Sequence, residues 1–148
     1  MSSRLCGVSL LIVRENSNGK RDILVRYSPL SRYPVYTILS ERLERGETAL
    51  DCARRIGQVS LGITFTQHDL DLEASALASQ TGERDQTRVF LVPSNAEFEA
   101  LVQRDDVGGW KYAFVPISSL HSIYIGPGVE ASKDALFALA SMRGRGSR

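Results

Sequence analysis

The segment from residue 41 to residue 63 constrains the fold of this chain more than any other. Apolar residues recur at helical spacing over Thr48–Ser60, which predicts an amphipathic helix. The first residue of this range, a threonine, suits the N-cap, whereas Gly57 weakens the helix toward its end. Gly46 lies before the helix and Gly62 after it. The segment therefore predicts a turn, a helix and a sharp exit, with strands on either side.

The remaining patterns place strands before and after this helix. Apolar runs and alternation predict strands, and the polar stretch 15–20 predicts a hairpin turn between the first two. Helical patterns follow at 97–102, 117–121 and 132–142. The predicted strands are 5–13, 22–27, 35–39, 70–77, 87–92 and 110–115. This order predicts an α+β fold in which helices pack against a mixed sheet.

The composition predicts one domain with an ordinary core. A chain of 148 residues with 43% hydrophobic content suits a single domain, which we place at 1–143 with a flexible basic tail at 144–148. The formal net charge of +1 gives no reason to expect general binding to nucleic acid or membranes. Cys6 and Cys52 are far apart in sequence, which predicts reduced thiols, and a cytoplasmic or nuclear location follows, with a mitochondrial one left open.

The segment 41–63 resembles a Nudix box. The family pattern is Gly, five residues, Glu, seven residues, Arg-Glu, an aliphatic residue, any residue, Glu-Glu, any residue, Gly and an aliphatic residue. The chain matches this pattern without a gap at Gly46-Glu47, Arg55, Gly62 and Ile63. It departs from it where Glu41 replaces the first glycine and where Ile56, Val59 and Ser60 replace three glutamates.

The resemblance covers nearly the whole chain and implies a Nudix-type α/β/α sandwich. The layout is most similar to the diadenosine tetraphosphate hydrolase branch. The family holds magnesium or manganese against a pyrophosphate with converging carboxylates, and such hard cations need several oxygen ligands. Here only Glu47 remains of that set, with Glu44, Asp51 or Glu41 as possible substitutes. The resemblance therefore predicts that no metal is held and that no catalytic residue remains.

Two residues of the box have alternative roles. Glu47 could bind a metal, or it could cap the helix that begins at Thr48. Arg55, which orients a cluster glutamate in active members of the family, is expected to pair with Glu47 or Glu44. If the chain is active, its catalytic residues would be Glu47, Glu44 and Arg55, with a carboxylate from a later loop: Glu83, Asp85 or Asp106.

Arginine and tyrosine side chains around the box are the candidates for ligand binding. Arginines suit phosphate recognition, and aromatic rings can stack on a base, although both sets could equally be solvated surface or core. The candidate residues are Arg26, Arg32, Tyr33, Tyr36, Arg42 and Arg45.

The sequence therefore predicts a catalytically inactive Nudix-fold protein. Its expected role is that of a binding or assembly subunit in a multiprotein, possibly RNA-processing, complex, without a cofactor and away from membranes. A protein is the first expected partner, and RNA or a nucleotide is the second. The alternative is an active Nudix hydrolase of a dinucleoside polyphosphate or capped RNA, with magnesium or manganese held by atypical ligands.

Overall fold

A computed structural model describes residues 4–32, 36–65, 75–79, 85–104 and 107–121. Six strands, two α-helices, one π-helix and one 3-10 helix occur in these ranges. The elements are β1 (Arg4–Glu15), β2 (Arg21–Tyr27), β3 (Leu39–Arg42), α1 (Ala49–Arg55) continuing into a π-helix (Ile56–Leu61), β4 (Ser75–Ser79), β5 (Asp85–Pro93), α2 (Ala96–Val102), β6 (Lys111–Pro116) and a 3-10 helix (Ile117–His121).

The six strands form one mixed sheet, in which five follow the order β4-β5-β1-β2-β6 and β3 pairs with β1 beside this path. The long strand β1 is central and runs parallel to β5. Its other edge is shared, because β3 pairs with the first part of β1 and β2 with the last part, both antiparallel. The α+β class and the mixed sheet predicted from the sequence are confirmed.

The core lies between one face of this sheet and the helices. Alternate residues of β1 face the box helix, and both faces of the strand are buried, since its intervening residues are also inaccessible. The cluster on the helix side includes Val8, Leu10, Ile12, Cys52, Ala53, Ile56, Phe90, Phe98, Leu101 and Tyr112. The predicted terminal helix at 132–142 and the tail at 144–148 lie outside the described residues.

The predicted hairpin between β1 and β2 is confirmed, and its turn is held by one side chain. The Asn16 Oδ1 atom accepts hydrogen bonds from the backbone N–H groups of Asn18 (2.9 Å) and Lys20 (3.1 Å). An asparagine whose side chain accepts hydrogen bonds from the backbone of its own turn is a common sequence signal for a turn.

The strand predicted at 35–39 is placed later in the chain, at β3. The pairing that decides its position is with β1, in the register from Gly7 opposite Arg42 to Leu10 opposite Leu39. Within it the buried Ser9 hydroxyl and the Ser40 hydroxyl lie 2.6 Å apart and form a hydrogen bond. Tertiary pairing of this kind overrides the weak local preference for a strand.

Helix α2 is fixed to the sheet by Arg14. Asn95 caps the helix, and its side chain accepts from the backbone of Glu97 and Phe98. Arg14 donates to both oxygens of Glu99 at 2.8 and 3.0 Å and to Asp22 at 3.2 Å. These charge-assisted bonds join the first hairpin to the helix.

Candidate functional site

The turn before the box helix positions Glu47. The backbone N–H of Glu47 donates to the carbonyl of Glu44 at 3.0 Å, and Gly46 has a φ of +80° in this turn. Side chains with a Cβ atom rarely adopt this φ, so a glycine is required here. The next residue, Thr48, begins a capping box with Asp51: its hydroxyl accepts from the Asp51 N–H, and the Asp51 carboxylate accepts from the Thr48 N–H.

The Glu47 carboxylate is fully engaged by protein donors. Arg55 donates through Nε to Oε2 at 2.9 Å and through Nη2 to Oε1 at 3.0 Å. The backbone N–H of Glu44 donates to Oε1 at 3.0 Å. The side chain is only 12% exposed, and its hydrogen bonds with Arg55, followed by the Glu44 amide, lower the pKa of Glu47 to about 2. The carboxylate is therefore anionic and already neutralised by one cation.

Arg55 joins the helix to the strand that precedes the turn. In addition to Glu47, its Nη2 donates to the carbonyl of Arg42 at 2.7 Å, and Nη1 lies 3.7 Å from Glu44 Oε1. The hydrogen bond to Glu47 raises the pKa of Arg55. The expected pairing of Arg55 with Glu47 or Glu44 is present. The helix is capped by Thr48, which the sequence indicates as the N-cap, and Glu47 pairs with Arg55 instead of capping the helix.

The three positions that carry glutamates in the Nudix pattern do not share one face here. Ile56 is 1% exposed in the core, Val59 is 79% exposed, and Ser60 is partly exposed. The cause is the π-helix, in which hydrogen bonds join residues five apart. The residue that follows Ile56 on the buried side is therefore Leu61, which is 5% exposed. Of the two apolar residues that replace glutamates, Ile56 therefore packs into the core and Val59 faces solvent.

Gly57 fits the π-helix to the neighbouring core. A Cβ atom at this position would lie 2.6 Å from Phe65 Cε2 and 2.8 Å from the carbonyl oxygen of Ile63. The Phe65 ring in turn stacks on Phe98 of α2, with ring centroids 5.9 Å apart. The Phe65 ring thus occupies the space beside residue 57, where the Nudix pattern has an aliphatic side chain. The sequence signal for this contact is the glycine itself, although helix propensity alone indicates only a weak helix position there.

The donor set at the box does not fit a magnesium or manganese ion. Such an ion needs several oxygen ligands with free lone pairs directed at one point. Glu47 is held by Arg55, Asp51 belongs to the capping box, and Ile56 is an alkyl group in the core. Across the described ranges, no three His, Cys, Asp or Glu side chains are grouped to hold a metal. Glu83 and Asp106 lie outside those ranges, and Asp85 begins β5.

Two of the predicted ligand-binding arginines share a pocket with the two candidate carboxylates. The pocket has a volume of about 560 Å³ and is open to solvent. Its lining consists of Cys6, Arg42, Leu43, Glu44, Arg45, Gly46 and Glu47. Arg42 and Arg45 thus lie with Glu44 and Glu47 around one cavity at the end of β3.

The other predicted ligand-binding residues lie elsewhere. The Arg26 guanidinium lies over the Trp110 ring, 4.3 Å from its centroid, on the sheet. Tyr36 contacts Tyr27, with ring centroids 5.1 Å apart and planes tilted by 58°. Arg32 is exposed in the following loop, and Tyr33 lies outside the described residues. The six candidates therefore do not form one site.

Comparisons with known proteins identify the fold. No family model matches the chain, and no curated protein matches it either. Solved structures match over nearly the whole chain. A Nudix hydrolase from M. smegmatis, RenU, has 14% identity and a TM-score of 0.62, covering 95% of this chain and 89% of that one. A mutT/nudix family protein from Listeria innocua has 13% identity and a TM-score of 0.60, with coverages of 95% and 92%.

A third neighbour comes from the hydrolase branch that the sequence layout resembles. The C. elegans Ap4A hydrolase has 17% identity and a TM-score of 0.52, covering 94% of this chain and 93% of that one. The chain has the Nudix fold, as the box spacing predicts.

Proposed function

We propose that this chain is a catalytically inactive Nudix-fold protein that acts as a binding or assembly subunit. The observation that carries the proposal is the state of the one carboxylate left in the box. Both Glu47 oxygens accept hydrogen bonds from Arg55, which also donates to the Arg42 carbonyl. Glu47 thereby has a structural role that does not require a metal.

The position after Arg55 supports the same proposal. Ile56 belongs to the buried cluster on the helix side of the sheet. A glutamate there would have to lose its hydration inside the core, which is strongly unfavourable for a carboxylate without a partner. The helix is therefore adapted to packing at this position.

The exposed surface of the same helix suits a protein partner. Val59 is 79% exposed and stands beside the partly exposed Ser60, where metal ligands would be in the Nudix pattern. A β-branched apolar side chain at this location contributes contact area without a charge to desolvate. We therefore place a protein first as the partner, in a multiprotein and possibly RNA-processing complex.

RNA or a nucleotide is the second class of ligand. Arg42 and Arg45 line the pocket at the end of β3, and arginine forks suit phosphate oxygens.

No helix among the described residues is long and apolar enough to cross a membrane.

The alternative function is hydrolysis of a nucleoside diphosphate-linked substrate. It is favoured by one observation, that Glu44 and Glu47 line the same pocket as Arg42 and Arg45. Glu47, Glu44 and Arg55 would then be the catalytic residues, and magnesium or manganese the cofactor. A dinucleoside polyphosphate is the substrate class suggested by the similarity to the C. elegans Ap4A hydrolase, and capped RNA is a second.

Hydrolysis assays decide between these functions. We expect no turnover of diadenosine tetraphosphate or capped RNA with manganese or magnesium. Metal-dependent turnover that disappears in Glu47→Gln and falls in Glu44→Gln would establish the alternative. Both variants must first be shown by circular dichroism to be folded at the assay temperature, because Glu47 also stabilises the fold.

Binding assays test the partner classes. Affinity purification of the full chain, followed by identification of proteins and RNA, is the direct search for a complex. A shift with short RNA that weakens as salt rises indicates phosphate contacts, because these release counterions. A protein partner whose binding is reduced by Val59→Glu supports the proposed surface.

A further inference from the structure

A row of aromatic side chains runs along one face of β6. Trp110, just before β6, and Tyr112 and Phe114 within it occupy alternate positions and pack on the same side of the sheet. An arginine lies over each end of this row. The Arg14 guanidinium is 3.9 Å from the Phe114 ring centroid, and that of Arg26 is 4.3 Å from the Trp110 ring centroid. The sheet thus carries two arginine–aromatic pairs of similar geometry.

The first of these pairs holds carboxylates. Arg14 lies over Phe114 and donates to both oxygens of Glu99, at 2.8 and 3.0 Å, and to Asp22 at 3.2 Å. The ring covers one face of the guanidinium, and the carboxylates take the in-plane donors, as an arginine fork favours. This pair is complete within the chain.

The second pair differs from the first in the charges around its arginine. Among the described residues, no acidic side chain lies within salt-bridge distance of Arg26. Its Nε atom is buried and has no hydrogen-bond partner in the described part of the chain. A half-buried cation without a counter-charge is unfavourable, and so is a buried N–H group without an acceptor.

A second polar group without a partner lies on the neighbouring strand. Tyr112 is directly opposite Arg26, is 1% exposed, and its hydroxyl has no hydrogen-bond partner. The backbone N–H and C=O of Arg26 both bond to Thr37 on the other side of β2. Arg26 and Tyr112 therefore form a non-hydrogen-bonded pair, in which facing side chains are closer together. The two residues are therefore neighbours on one face of the sheet.

We infer that Arg26, Trp110 and Tyr112 form a binding site for a carboxylate from an acidic side chain of a partner protein. One cation matches one monoanionic carboxylate, and the Arg26 Nε–H and the Tyr112 hydroxyl are two donors on one sheet face that lack a partner among the described residues. The Arg14 pair shows this chemistry on the same sheet, with a carboxylate from α2 in the corresponding place. A phosphate group, with its larger charge, would call for more than one cation. The inference rests on the proposed function as a binding subunit and names the chemistry of the partner.

Trp110 makes the site directly observable. It is the single tryptophan of the chain, so its fluorescence reports on the ring beneath Arg26. The probe is a capped hexaglutamate peptide, and the control peptide is hexaglutamine. Inorganic phosphate and a short oligouridylate test phosphate as the ligand. We expect saturable fluorescence changes with hexaglutamate alone, and a shift of the Arg26 Nε–H resonance in NMR spectra over the same range.

Matched variants separate binding from folding. Arg26→Lys keeps the charge but loses the Nε donor, and we expect it to weaken hexaglutamate binding by about tenfold or more. Arg14→Lys is the control on the same sheet: it should lower the melting temperature and leave hexaglutamate binding within about twofold, since Arg14 is already engaged. Tyr112→Phe should weaken binding by about threefold to tenfold without lowering the melting temperature, because it removes a hydroxyl that has no partner.

Three results would overturn the inference. They are a stronger response to phosphate or oligouridylate than to hexaglutamate, no response to any probe, or hexaglutamate binding that Arg26→Lys leaves unchanged. None of these results bears on whether the box is inactive, which manganese binding and hydrolysis assays decide separately. Conversely, metal-dependent turnover would overturn the proposed function but would not change the result of the hexaglutamate titrations.

Discussion

Replacing Glu47 by glutamine should destabilise the protein in the absence of any metal. The variant keeps the size of the side chain and removes the charge that Arg55 binds at 2.9 and 3.0 Å. A pKa lowered from 4.5 to about 2 corresponds to about 3 kcal/mol of favourable interaction with the charged form. Because glutamine retains part of the hydrogen bonding, we expect a loss of about 1.5–3 kcal/mol near neutral pH.

The effect should depend on pH in a defined direction. The folded-state pKa of Glu47 is lowered, so its stabilising contribution is complete above the unfolded value of 4.5 and is lost as the pH falls toward about 2. The difference in the free energy of unfolding between the wild-type protein and Glu47→Gln should therefore shrink over that range. Urea denaturation followed by far-UV circular dichroism at several pH values measures it.

Glu44→Gln is the matched control for this experiment. Glu44 is 70% exposed, and its carboxylate lies 3.7 Å from Arg55 Nη1. An exposed pair of this kind contributes at most about 0.5 kcal/mol. If Glu47→Gln costs no more than Glu44→Gln, or if its cost is the same at acidic and neutral pH, then Glu47 has no structural role of the kind described.

Three further predictions concern the helix and the thiols. Ile56→Glu should lower the free energy of unfolding, measured by urea denaturation, by at least about 4 kcal/mol, because it puts a carboxylate in the core. Val59→Glu should change it by no more than about 0.5 kcal/mol, because Val59 is exposed. Equal losses would contradict the π-helical register. Gly57→Ala should cost about 1–3 kcal/mol, since its Cβ would lie 2.6 Å from an aromatic ring, and an unchanged melting temperature would contradict that contact. A thiol reagent at mildly alkaline pH should modify Cys6 and leave Cys52 unmodified in the folded protein. The reason is that burial, followed by the charge of Glu47, raises the pKa of the Cys52 thiol to about 11. Mass spectrometry of the labelled peptides shows which cysteine has reacted.

The parts of the fold that the sequence predicted well are those set by local chemistry. The hairpin turn around Asn16, the Thr48 cap and the short helix at 96–102 depend on residues a few positions apart, which a sequence pattern contains. The position of the helix that begins after Thr48 could be predicted because its apolar residues recur at helical spacing and the segment matches the spacing of the Nudix box. β3 was displaced because its position depends on pairing with β1, thirty residues earlier in the chain.

The parts that the sequence did not predict depend on contacts between distant elements. An α-helical period puts Val59 beside Ile56, but the glycine at 57 and the ring of Phe65 favour a π-helix that turns Val59 outward. The environment of Arg26 is similarly a property of the sheet. It follows from the register that sets Tyr112 opposite it, and no local pattern contains that register.

Manganese binding to the wild-type chain is the most direct test of the proposed loss of catalysis. We predict no saturable heat in calorimetric titration up to about 5 mM manganese, and no rise in melting temperature. A site with a dissociation constant of about 1 mM would add about 1 kcal/mol at that concentration and raise the melting temperature by about 2–4 °C. Saturable binding that Glu47→Gln abolishes and Glu44→Gln leaves intact would contradict the claim that the Glu47 carboxylate is committed to Arg55.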